Sequence, residues 1–184
     1  VEWKSLPVSS TELTQRAFDI EIQVDELYAA LVDEENLRAA AVATLEDNAI
    51  DDAELTIVIT SDEAVQQLNR DYRGVDAPTD VLSFAAQEGE EAETLSLPPE
   101  LAAEMDRYLG DIIIAYPYTV QQAAHFGNSP AAELRLMVVH GVLHLLGDDH
   151  DTPEAEAEMW ARQERVLAHF GDQGLSQRHY EPHE

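Results

Sequence analysis

The chain has 184 residues, is 45% hydrophobic and contains no cysteine, which fits one cored domain and excludes disulfides and thiolate-held metal. Its 38 acidic residues against 10 basic give a formal net charge of −28, a field that repels polyanions and by itself counts against a nucleic-acid substrate. No apolar run approaches the roughly 18 residues that span a bilayer, and Val1-Glu2-Trp3-Lys4-Ser5 shows no secretory pattern, so the expectation is a soluble cytoplasmic protein.

Acidic residues crowd into Asp33–Glu35, Glu88–Glu93 and Asp148–Glu158, so a locally positive site remains compatible with the total. Residues 1–16 are polar and mixed. Phe18 to Val24 alternates with period two and predicts a half-buried strand. Leu37, Ala40, Ala41 and Leu45 share one face of an alanine-rich helix. Glu54 to Thr60 predicts a second strand, after which Ser61 is placed to cap a helix running to about Tyr72. The turn residues Asp76-Ala77-Pro78 lead into a third strand over Asp80–Phe84. Residues 87–100 hold acids, two prolines and little periodicity, and are assigned to an acidic loop insertion.

Ile112-Ile113-Ile114 marks a fourth strand. Helices are expected from Pro117 to about Phe126, ended by Gly127-Asn128, and from about Pro130 onward. A last helix follows Thr152-Pro153, where threonine caps and proline suits the first helical position, and Gly171 stops it. The expected architecture is α+β, a single mixed four-stranded sheet packed with about five helices. It forms one domain over 1–171, with 172–184 as a disordered tail.

The segment His140-Gly-Val-Leu-His144-Leu-Leu-Gly147-Asp-Asp-His150 carries the chemistry. Four residues along a helix advance ~6 Å and turn ~40° past a full rotation, so His140 and His144 stack on one face. Gly147 can end the helix in a left-handed conformation and bring His150 back as a third ligand. Three imidazoles suit Zn²⁺ and leave a fourth position open, as in catalytic sites. The spacing is that of the metzincin peptidases, but Gly141 stands where their general-base glutamate would be, which argues against proteolysis. Gly141 costs ~1 kcal/mol against alanine in a helix, and room for a substrate or another side chain is the expected return. His125, His169, His179 and His183 lack ligand spacing.

Arg73, between a helix and a turn, is the second candidate. Its planar fork could grip a phosphate; a structural pair with Asp76 or Asp80 fits the residues equally well.

Together these segments resemble the YbeY family of bacterial endoribonucleases, once catalogued as predicted metalloproteases. The likeness runs from about Leu55 to Leu167. It rests on Leu68-Asn-x-x-Tyr72-Arg73-x-x-Asp76-x-Pro78-Thr79-Asp80-Val-Leu-Ser83-Phe84 and on His140-Gly-x-Leu-His144-Leu-x-Gly147-x-Asp149-His150. Leu109-Gly-Asp111-Ile-x-Ile and Met159-x-x-x-Gln163-Glu164 fit as well. Ala85 replaces a frequent proline, and Asp148 a usual aromatic, which adds negative charge beside the site.

The resemblance implies a single-strand-specific endoribonuclease of rRNA maturation, including the 3′ end of small-subunit rRNA, and of ribosome quality control. It implies one Zn²⁺ on His140, His144 and His150, and a functional Arg73. Asp149 or Asp111 is expected to accept the second ring N–H of a ligand histidine. No general base stands out, so the nucleophile, water or the ribose 2′-OH, stays open. The rival readings are a ribosome-assembly factor, with structural zinc and an acidic surface for basic ribosomal proteins, and a zinc hydrolase of another phosphoester.

Overall fold

The computed structural model describes residues 17–87 and 98–175. In chain order the elements are β1 (Ala17–Val24), α1 (Glu34–Asp47), β2 (Asp52–Thr60), α2 (Asp62–Arg73), β3 (Val81–Ala85), α3 (Pro99–Arg107), β4 (Tyr108–Ala115), α4 (Tyr116–Phe126), α5 (Pro130–Leu145) and α6 (Pro153–Ala168). The strands form one sheet in the order β1-β2-β4-β3, with β1, β2 and β4 parallel and β3 antiparallel to β4 at the edge. This is the expected mixed α+β sheet, with six helices among the described residues.

The sequence dictates the layering. In β2, Ala53, Leu55, Ile57 and Ile59 all point to one face and are buried, as a period-two pattern requires. Burying one such leucine or isoleucine contributes about 1.5–3 kcal/mol. Ile112 and Ile114 of β4 extend that face, and α1, α5 and α6 pack over it. Leu37, Ala40, Ala41 and Leu45 of α1 are buried there together. The opposite face holds a smaller cluster of Val65, Leu82 and Ala115, joined by Leu68, Phe84 and Ile113.

Capping sets the helix starts. Ser61 accepts from the Ala64 N–H at 3.3 Å and Thr152 from that of Ala155 at 3.2 Å, both as their sequence positions suggested. Ser129 does the same for α5, receiving the Ala132 N–H at 3.1 Å with Pro130 in the first turn.

Two sequence expectations change. Helix α3 was not anticipated: it buries none of its residues, so no apolar face of core width marked it. Its first residues, Pro99 and Glu100, fall inside the expected loop 87–100, whose residues 88–97 lie outside those described. The expected tail from 172 begins in packed chain. Asp172 accepts from the Arg135 guanidinium at 2.6 and 3.0 Å, and Leu175 is buried in the main core. Residues 1–16 and 176–184 lie outside those described. Among the described residues, no helix is long and apolar enough to cross a membrane.

Candidate metal centre

Helix α5 is apolar almost all round and runs through the interior, so its few polar side chains are conspicuous. His140 and His144 lie on the stretch that faces a cleft of about 570 Å³ between the edge strand β3 and the chain after α5. The helix ends in a Schellman turn: Gly147, at φ 96°, gives its N–H to His144 O at 3.0 Å, and Asp148 gives its N–H to Leu143 O at 3.0 Å. A residue with a Cβ resists that left-handed φ. The reversal returns the chain over the helix end and sets His150 opposite the other two rings.

The three rings converge. Ring centroids lie 4.5 Å apart for His140–His144, 5.1 Å for His144–His150 and 5.9 Å for His140–His150. One nitrogen from each lies within 4.8 Å of the others, close enough to hold a metal ion among them.

The hydrogen bonds around the rings favour a cation. His144 Nδ1 lies 2.9 Å from the Asp148 carbonyl, which can only accept, so that nitrogen carries the proton and Nε2 presents a lone pair. His140 Nδ1 lies 2.7 Å from Gln163 Oε1, with the same consequence. The two Nε2 atoms are then 3.0 Å apart with no proton between them, an arrangement that a shared metal ion relieves. Burial pushes the His140 imidazole down to about 3 and, with the neighbouring His150, lowers His144 as well, so both rings are neutral at pH 7. The donor set fits zinc chemistry.

These acceptors differ from the expected ones. Asp149 instead takes the backbone N–H of His150 at 2.7 Å, which holds its carboxyl below the usual range, and Asp111 takes the Tyr108 hydroxyl at 2.7 Å. Gln163 was detectable: it falls with Met159, Val166 and Leu167 on the buried face of α6, where an unexplained amide signals a polar partner. The Asp148 carbonyl was not, because main-chain acceptors leave no mark on composition. The Asp148 carboxylate, whose charge beside the site stood out in the sequence, is taken by Arg162 at 2.9 and 3.1 Å.

Gly141 also finds its explanation. A Cβ there would meet Ile112 Cγ2 at 2.7 Å and Cδ1 at 3.0 Å. The side chain that the glycine makes room for is Ile112 of β4, and the space is not left for a substrate.

Arg73 ends α2 on the far rim of the same cleft. The bonds Ala115 N–H to Asp80 O and Ala86 N–H to Leu109 O put Asp80, Leu82, Phe84 and Ala86 in the hydrogen-bonded register with β4. The main-chain groups of Val81, Ser83 and Ala85 therefore face the open edge. Arg73 Nη2 donates to one of them, Ser83 O, at 2.7 Å, and its guanidinium lies 5.8 Å from the Phe84 ring centre. Asp76 is engaged by Gln66 at 3.0 Å and Arg70 at 3.8 Å, while an Asp80 oxygen receives the Val81 N–H at 2.8 Å. Arg38, Arg70, Arg107, Arg135, Arg162 and Arg165 each lie within 4.0 Å of a carboxylate; Arg73, among the described residues, makes no such pair.

The fold and cleft together define a class: an α+β protein with three histidines around one point, at the end of a buried helix, and an arginine across a substrate-sized opening. The profile of the family described as endoribonuclease YbeY matches residues 12–171. The chain is 46% identical over 154 residues to the endoribonuclease YbeY of Roseiflexus castenholzii, covering 83% of this chain and 92% of that one. It is 49% identical over 135 residues to that of Moorella thermoacetica (73% and 82%) and 46% identical over 156 residues to that of Chloroflexus aurantiacus (84% and 96%). The solution structure of TM1509 from Thermotoga maritima shares the fold, with a TM-score of 0.50 and 23% identity over 90% of this chain and 99% of that one. The chain belongs to the YbeY family of endoribonucleases.

Proposed function

We propose that this YbeY-family chain uses one zinc ion, held by His140, His144 and His150, to cleave single-stranded RNA in the cytoplasm. Its substrate is rRNA, including the 3′ end of the small-subunit species, and the activity serves ribosome maturation and quality control. The observation that carries the reading is the pairing across one cleft of three convergent imidazoles with an arginine that, among the described residues, no carboxylate engages.

The bound ion would supply positive charge and Lewis acidity beside the scissile phosphate. Gln163 and the Asp148 carbonyl keep both half-buried rings in the tautomer that presents Nε2. Ser83 O and the Phe84 ring hold the Arg73 side chain at the rim, so its remaining donors meet a phosphate already oriented. Those donors stabilise charge as it develops on the phosphoryl oxygens. The ion and Arg73 would place positive charge at the phosphate itself, offsetting there both the −28 of the chain and the carboxylates of Asp80, Asp148, Asp149 and Asp151 in the cleft lining.

The test measures zinc content and cleavage of one RNA sequence offered single-stranded and as a duplex. Stoichiometric zinc, cleavage of the single strand, and loss and recovery of activity on removing and restoring zinc are expected. Zinc-loaded protein that turns over no RNA, but binds basic ribosomal proteins, would favour the assembly-factor reading. The product ends identify the nucleophile: a 2′,3′-cyclic phosphate marks the ribose 2′-OH.

A further inference from the structure

A single strand of RNA offers a protein two things a duplex withholds: bases free to leave the stack, and their exposed π faces. The cleft supplies donors for phosphate, but its lining, among the described residues, includes no phenylalanine, tyrosine or tryptophan. An aromatic platform has to come from the rim.

The last turn of α2 places Tyr72 directly before Arg73, and both side chains converge on Phe84. The Tyr72 ring meets it edge-on, with centroids 5.5 Å apart and planes at 70°, while the Arg73 guanidinium lies 5.8 Å from the same ring centre. Phe84 is packed against the smaller core cluster, which makes it a fixed post for both neighbours. Tyr72 nevertheless stays 72% exposed. A tyrosine loses little rotamer freedom on binding and carries a large flat face, so a held but uncovered ring is an inexpensive surface to stack upon.

The topology puts this ring within reach of the cleft. Strand β3 is the sheet edge, with no strand beyond it among the described residues. Arg73 bonds to the outer side of that edge at Ser83 O, while its neighbour Tyr72 rests on Phe84, which packs on the opposite face of the sheet from Val81 and Ala85. A chain leaving the cleft past Arg73 and crossing β3 would have Tyr72 as the neighbouring exposed ring.

We propose that Tyr72 is the base platform of this enzyme, stacking the unpaired nucleobase adjacent to the phosphate that Arg73 holds. The proposal rests on the endoribonuclease reading above and adds the residue that senses an unpaired strand. A paired base cannot reach the ring without leaving its helix, so the contact favours single strands without reading sequence.

The experiment uses zinc-loaded full chain and a short single-stranded RNA, with a second RNA lacking the base next to the cleaved phosphate. Tyr72→Ala should weaken binding of the intact RNA by about tenfold, and Tyr72→Phe by less than about twofold, because stacking needs the ring and not the hydroxyl. Wild-type protein should lose the same tenfold on the abasic RNA, and Tyr72→Ala should lose nothing further there, the signature of one shared contact. Zinc content and melting temperature of each variant report its integrity, and Tyr72→Leu, which keeps bulk against Phe84 without a π face, should behave as Tyr72→Ala. Wild-type binding and cleavage with Tyr72→Ala unchanged would overturn the platform alone, as would a loss in Tyr72→Phe equal to that in Tyr72→Ala. Zinc-loaded wild type that neither binds nor cleaves the RNA would overturn the endoribonuclease reading, and the platform with it.

Discussion

Helix α5 buries eleven of its sixteen residues, whereas α2 buries two of its twelve; they pack on opposite faces of the sheet, and each sends side chains to the cleft. The first carries two proposed zinc ligands whose second nitrogens are already tied down; the second carries an arginine held by one bond to an exposed sheet edge. Deep burial is placed where a metal needs fixed distances, and exposed, oriented donors where a polymer must be met. The expectation is that changes on α5 act through metal and stability, and changes on α2 act through the substrate.

The largest separation should come from His140→Ala. Adding zinc should raise wild-type stability by about 4 kcal/mol when free zinc is roughly a thousand times its Kd, and should leave the variant unmoved. Equal stabilisation of both proteins in urea titrations would remove His140 from the ligand set. Arg73→Ala should do the reverse, keeping zinc content and melting temperature while kcat falls by about 10²- to 10³-fold, as when one transition-state donor is lost. Arg73→Lys should recover little, since the ammonium lacks the planar fork. A variant with normal turnover but a lowered melting temperature would make Arg73 a structural residue.

Gln163→Leu sharpens the comparison from behind the metal. Loss of the acceptor on His140 Nδ1 should weaken zinc binding by about 10- to 100-fold, read by chelator competition without any RNA. Unchanged affinity would reduce Gln163 to a packing residue. The effect that needs neither zinc nor RNA is acid sensitivity of the zinc-free protein. Unfolded chains take up protons on these imidazoles near 6.5, while folded His140 stays neutral down to about 3 and His144 is shifted the same way. Stability from this source is complete above pH 6.5 and declines as the pH falls toward 3. Urea midpoints that stay level from pH 7.5 to 5 would show that burial does not hold these rings neutral.

Much of this contrast was legible in the sequence for a physical reason. Periodicity reveals elements that bury a face, so β2, α1 and the run into α5 declared themselves, and α3, which buries nothing, did not. The His140, His144 and His150 spacing encodes a helix and its reversal, so those three rings could be brought together from numbering alone. Their supporting acceptors could not, because they depend on how α6 packs on α5 and on a main-chain carbonyl in the turn. Arg73 posed a different difficulty. Several aspartates stood near it in sequence, and only the register of β3 and the partners of Asp76 show which contacts it keeps.

The 2.7 Å that would separate a Cβ at 141 from Ile112 Cγ2 also bears on the peptidase-like histidine spacing. In a peptidase with this histidine spacing, the glutamate after the first histidine is what makes amide hydrolysis possible. Here a methyl group of the neighbouring strand fills the space that such a side chain would leave through. Gly141→Glu would therefore have to displace the Ile112 side chain or shift the helix before it could supply a base, at an overpacking cost of about 1–3 kcal/mol. The barrier between the two chemistries lies in the core: Ile112 occupies the space beside the helix at 141, and a single substitution there does not supply the base.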